Sequence, residues 1–144
     1  MECFFTYYLL CSNFIKSFYI QKELNEQEFD DLADRIFSID KKIRFVGIVD
    51  NKVSHYKMKQ GTTSYLTKEE TEEALADAMK RWEIRKKYVS KLGDPFYAMA
   101  MYEKTKRFTL PIKGGLVCIS TEIDIDNDDM ISRALNEIQK HFHS

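Results

Sequence analysis

Several of the usual anchors of a small protein are scarce in this chain. Its 144 residues hold two prolines, five glycines and one tryptophan, and the three cysteines, Cys3, Cys11 and Cys118, are odd in number and scattered. A disulfide framework or a zinc site needs paired or clustered spacings, so stability must come from an apolar core, and a reducing cytoplasm suits the chain best. No Pro/Ser-rich linker, low-complexity tract or internal repeat divides it. Charge of one sign is also missing, because 22 lysines and arginines face 23 acids for a net charge of −1. That balance offers no broad positive field to gather nucleic acid or anionic membrane. What the chain does have is length and apolar residues enough for one domain with a core of its own.

The most informative stretch runs from Thr67 to Leu92. Thr67-Lys68-Glu69-Glu70 is a capping box, and Gly93 and Pro95 supply the stop. Between them Thr71, Leu75, Ala78, Trp82 and Val89 recur at helical spacing, predicting one long helix with a single apolar stripe. Full burial of Leu75, Met79, Trp82, Val89 and Leu92 would stabilise the fold by about 8 to 15 kcal/mol, at roughly 1.5 to 3 each.

The remaining elements follow in order. Asn25 to Ile39 reads as a helix with Phe29, Leu32, Ala33, Ile36 and Phe37 on one face and acids crowding its start. Ile43 to Val49 is nearly continuously apolar, as an interior strand should be, and Val53 to Met58 alternates with polar residues, as an edge strand should. Phe96 to Tyr102 and Arg107 to Ile112 form a hairpin. Lys113-Gly114-Gly115 then turns into Leu116 to Glu122, a second candidate for the sheet interior. Asp126 or Asn127 caps a last helix with Ile131, Ala134, Leu135, Ile138 and Phe142 as its stripe, and His141 and His143 are placed in a frayed tail.

Residues 1–22 form an apolar and aromatic extension ahead of a single domain at 23–144. As a helix the extension sets Phe4, Tyr8, Cys11, Ile15 and Phe18 or Tyr19 on one side. Glu2 precedes the apolar run and Asn13, Lys16 and Gln21 follow it, which is not the layout of a secretory signal, and the run is short for a membrane span. Packing against the domain or a partner, membrane contact and a mis-assigned start remain its three readings.

The order helix, strand, strand, long helix, strand, strand, strand, helix, with short turns inside each strand run, predicts an α+β domain: a five-stranded antiparallel sheet with helices against it. Over residues 25–142 that order resembles the roadblock and longin group and, more distantly, profilin. In finer detail Ile43-Arg44-Phe45-Val46-Gly47-Ile48-Val49-Asp50, Gly61, Trp82 to Lys87 and Tyr97 to Pro111 resemble a family of small proteins of ammonia-oxidising archaea. That family brings no established active site. The roadblock resemblance implies a homodimer that serves as a scaffold or regulator of small GTPases.

Asp124, Asp126, Asp128 and Asp129 fail a calcium-loop spacing, since the sixth position is Asp129 and the twelfth Leu135 where glycine and glutamate belong. Gly114-Gly115 lies between strands, so it is a hairpin turn and not a phosphate cradle. His55, His141 and His143 have no nucleophile or metal-ligand neighbour in sequence, and Cys118 reads as a core thiol. No catalytic residue, metal or cofactor is therefore expected. Arg81, Arg85, Lys86, Lys87 and Lys91 read as a solvated basic face, with Asp77–Arg81 and Glu83–Lys87 as i,i+4 pairs. Arg85 alone falls beside the stripe, half-buried with a carboxylate partner or reaching over the sheet edge.

Ile84 and Tyr88 make a second apolar spot off that stripe. With Arg85 and the strand residues Phe96, Ala98, Ala100 and Tyr102 they are the candidate self-association surface. The competing reading is a small-ligand sensor of PAS or profilin-like type, in which a pocket of several hundred Å³ near Trp82 and Tyr97 holds an apolar effector.

Overall fold

The structure is a computed structural model that describes residues 24–143. The extension at 1–22, with its predicted helical face, lies outside the described residues. The elements are α1 (Glu26–Phe37), β1 (Ile43–Asp50), β2 (Ser54–Met58), α2 (Lys68–Arg85), α3 (Val89–Leu92), β3 (Ala98–Met101), β4 (Lys106–Ile112), β5 (Gly115–Thr121) and α4 (Asn127–His143). The strands form one sheet in the order β2-β1-β5-β4-β3, every neighbour antiparallel. This is the α+β architecture the element order predicts.

The sheet separates two cores. On one face α1 and α4 cover Ile43, Val46, Ile48, Phe108, Leu110, Val117 and Ile119, with Phe29, Leu32, Ala33 and Ile36 supplied from α1. A register shift between Ile43 and Phe45 lets Ile43 join Val46 and Ile48 on that face despite the odd spacing. On the other face Leu75, Ala78 and Trp82 of α2 pack on Phe45, Val49, Leu116 and Cys118. Gly47 makes the close approach of α2 possible: a Cβ there would sit 3.1 Å from the Phe45 ring and 3.2 Å from a Leu75 methyl. Strands β1 and β5 are buried on both faces and β2 lies at an edge, as their hydrophobic patterns predict.

The helix ends follow local chemistry. Asn25 Oδ1 accepts from the Glu28 N–H at 2.8 Å, starting α1. Both halves of the Thr67 capping box are formed, Glu70 N–H to Thr67 Oγ1 at 3.1 Å and Thr67 N–H to Glu70 Oε1 at 2.9 Å. Asp126, of the two candidates, accepts from the Asp129 N–H at 3.0 Å. Buried Lys106 steadies that entry, donating to the Ile125 carbonyl at 3.1 Å and to Asn127 Oδ1 at 2.7 Å.

Four expectations change. The helix predicted for Thr67 to Leu92 stops at Arg85, passes through a 3₁₀ turn at Lys86–Tyr88 and resumes only as the short α3 before Gly93 at φ +83°. Neither the turn nor α3 has a buried residue, so no packing holds the α-helical ladder past Trp82, where Arg85, Lys86 and Lys87 crowd like charges together. Burial changes with it: Leu92 is 83% exposed and Val89 only half-buried, so the contribution of α2 rests on Leu75, Ala78, Trp82 and, in part, Met79. The strand predicted at Phe96 to Tyr102 is shorter, since β3 pairs only with β4 and the Tyr102 N–H already turns back to the Thr105 carbonyl at 2.8 Å. Finally, α4 runs through His141 to His143 without the predicted fray, and the Arg35 side chain from α1 reaches His141 Nδ1 at 2.6 Å.

Candidate functional surface

Helix α2 lies over β1 and β5, leaving the β4–β3 half of the same sheet face uncovered. A groove of about 80 Å³ runs there, walled by Ala74, Ala78, Arg81 and Arg85 of α2 and floored by Ala98, Ala100, Arg107, Thr109, Cys118 and Ser120. Small side chains keep it open, and its charged lining is entirely basic. Elsewhere among the described residues Arg35 pairs with Glu137, Arg44 with Glu122 and Arg133 with Asp129. Arg81, Arg85 and Arg107 have no carboxylate partner among the described residues.

The i,i+4 pairs read from spacing are formed differently. Asp77 takes Lys80 at 3.8 Å in place of Arg81, and Glu83 takes Lys86 at 3.0 Å in place of Lys87. Spacing alone cannot separate i,i+3 from i,i+4, and in both cases the nearer lysine supplies the cation. Arg85 is exposed, with its guanidinium 5.7 Å above the Trp82 ring, and it lines the groove.

The residues expected to mediate self-association lie around this groove. Ile84 is 53% and Tyr88 56% exposed on the outer flank of α2 and the turn that follows it. Ala98 and Ala100 lie on the groove floor, and Phe96 and Tyr102, both exposed, flank β3. Met99 and Met101 alternate with those alanines and present exposed thioethers on the other side of the strand, Met101 at 64%. Arg107 and Leu92 belong to the same region and were missed in the sequence, and Arg81 is read there only as part of a solvated basic face. Met99 and Met101 fall within the strand Phe96 to Tyr102, whose apolarity on both faces the sequence does show. The pair named for a ligand pocket is separated, Trp82 being 4% exposed in the α2 core and Tyr97 45% exposed, and neither lines the groove.

The other clusters have structural occupations. Lys42 binds Asp124 at 3.2 Å, and that hydrogen bond holds the Asp124 carboxyl below the usual range. His55 stacks on Phe29 with ring centroids 5.5 Å apart. Cys118 lies under the groove, where burial pushes its thiol up to about 12 and keeps it protonated at neutral pH. Gly114, at φ +78°, turns β4 into β5. Among the described residues no helix is long and apolar enough to cross a membrane.

No family model and no curated protein matches the sequence. Among solved structures, the chain is similar to a Roadblock/LC7 domain from Streptomyces avermitilis, with a TM-score of 0.55 and 8% identity over 72% of this chain and 88% of that one. MglC from Myxococcus xanthus is also similar, at a TM-score of 0.48 and 8% identity over 76% of this chain and 95% of that one. The likeness to the Streptomyces domain is one of fold, and it agrees with the five-stranded antiparallel sheet and its flanking helices: the chain has a roadblock-type fold.

Proposed function

We propose that this chain is a non-enzymatic interaction domain that pairs with a second copy through α2 and β3 and in that form acts as a scaffold or regulator. One observation carries the reading. The free edge strand β3 and the segment from Ile84 to Leu92 carry exposed apolar side chains: Ile84, Tyr88 and Leu92 on that segment, Phe96 and Tyr102 flanking the strand, and Met99 and Met101 on the strand's face turned away from α2. A strand edge with unpaired backbone groups and apolar flanks is a template for another chain. The resemblance drawn from the sequence supplies the partner class, a small GTPase, and the setting, an archaeal cytoplasm. A ligand-sensing role has less support, because a groove of about 80 Å³ is far below the several hundred Å³ that enclose an effector.

Light scattering in the tens of micromolar tests the pairing. The expected mass is twice 17.0 kDa, falling to the monomer for Tyr88→Glu. A monomeric mass for the unaltered chain, unchanged in the variant, contradicts it. Affinity capture from native lysate that returned a small GTPase would support the regulatory half of the reading.

A further inference from the structure

We infer that the groove between α2 and β3 is a binding site for a phosphoryl group, free or carried by a small molecule, held by Arg81, Arg85 and Arg107. This goes beyond the pairing and does not depend on it. The chain concentrates its unpaired guanidinium groups in the groove. Of its six arginines, Arg35, Arg44 and Arg133 are paired with carboxylates, and the other three all line this one space. The acids beside them on α2 are taken by lysines, Asp77 by Lys80 at 3.8 Å and Glu83 by Lys86 at 3.0 Å. No carboxylate stands in the lining, so three like charges face the groove without a counter-charge from the chain.

The sheet register builds the floor. Ala98, Thr109 and Cys118 align across β3, β4 and β5, and Ala100, Arg107 and Ser120 form the next row. The alternate residues Phe108, Leu110 and Ile119 belong to the core on the opposite face, so Arg107, Thr109 and Ser120 are turned toward α2. All three are half-buried, and neither hydroxyl has a hydrogen-bond partner among the described residues. Arg81 and Arg85, one turn apart, line the α2 side. Two of the guanidinium charges are felt at the floor: those of Arg107 and Arg81 oppose the burial that raises the Cys118 pKa. The small side chains leave about 80 Å³. That is room for several water-sized groups at about 10–15 Å³ each, enough for a phosphoryl group and too little to enclose a larger molecule that carries it.

The donor set favours phosphate over carboxylate. Guanidinium groups grip oxyanions through paired N–H donors. A carboxylate offers one negative charge and two oxygens, whereas a phosphate monoester offers nearly two charges at neutral pH and three free oxygens, one for each arginine. The Thr109 and Ser120 hydroxyls add two further donors. Arginine stays charged at any working pH, so the affinity should follow the second ionisation of the ligand, near about pH 6.

Titration calorimetry at matched ionic strength tests the site, with inorganic phosphate and glycerol 3-phosphate as probes and acetate as the carboxylate control. Both phosphates should bind saturably at one per chain, and between about pH 7.5 and pH 5 their affinity should fall several-fold. Equal affinities assign the site to phosphate itself; tighter binding of the ester assigns it to a carried group. Arg81→Gln with Arg107→Gln should weaken binding by about tenfold or more, and Arg85→Gln, at an exposed position, by about threefold. Melting temperatures within a few degrees of the unaltered chain confirm folding, and if the double variant misfolds, Arg85→Gln alone decides. No saturable heat up to about 10 mM, acetate binding as tightly as phosphate, or unchanged affinity in the folded variants overturns the inference. Light scattering during the same titration keeps it apart from the pairing: a monomer that binds phosphate leaves the site standing and removes the pairing, and a dimer that binds none does the reverse.

Discussion

The two edges of the sheet are finished in opposite ways. Edge strand β2 is tied down: Lys57 Nζ reaches Asp34 at 2.8 Å and Asp30 at 3.6 Å, His55 stacks on Phe29, and the Tyr56 hydroxyl donates to Glu72 at 3.1 Å. The hydrogen bond to Asp34, ahead of the opposing effect of burial, raises the Lys57 pKa, while desolvation and Glu72 raise that of Tyr56. Edge strand β3 has none of this dressing: alanines and methionines, mostly exposed, with Phe96 and Tyr97 before it and Tyr102 after. A lysine on an edge with its side chain committed to the same molecule discourages a second strand, whereas an apolar edge invites one. Substitutions on the β2 side should therefore change stability, and those on the β3 side association.

The largest break in that contrast comes from Phe29, buried in α1 beneath His55. Phe29→Ala should cost about 3–5 kcal/mol, read as a fall in the denaturation midpoint with no change in the mass of the folded species. Next is Met101→Lys, which puts on β3 the kind of charge β2 already carries. It should weaken self-association by about tenfold or more, roughly 1.4 kcal/mol, with the melting temperature nearly unmoved. Thr67→Ala removes the cap of the helix that both readings of the groove need and should cost about 1 kcal/mol in chemical denaturation.

The smallest effect is a pH dependence on the closed side. Burial, then the Arg35 charge, lowers the His141 pKa from 6.5. A base whose folded pKa is depressed gives its stability above the unfolded pKa, so the melting temperature should fall as the pH drops below about 6.5 and through the folded pKa. His141→Gln should flatten that slope. An unchanged slope would mean that the titration of His141 is not linked to folding.

Much of the fold was legible because local signals agreed with packing. Asn25, the Thr67–Glu70 box and Gly93 mark helix ends, and the apolar runs of β1 and β5 mark the sheet centre. The long helix failed past Arg85 because Val89 and Leu92 keep its period while nothing buries Leu92 and little buries Val89. Periodicity reports a face; it does not report whether anything lies against it. The candidate surface was half legible. Ile84 and Tyr88 betrayed themselves by lying off the main stripe, whereas Arg81 and Arg107 look ordinary in sequence and become notable only where the fold brings them to one groove without a carboxylate.

Amide hydrogen exchange as a function of protein concentration addresses the contrast between the edges most directly. Between about 1 and 100 µM, a range in which typical interfaces of this kind assemble, the amides of Ala98–Met101 should gain protection while those of Ser54–Met58 stay constant. Exchange at β3 that does not respond to concentration, or protection gained at β2 instead, would contradict the assignment of the α2–β3 side as the surface that receives a second copy.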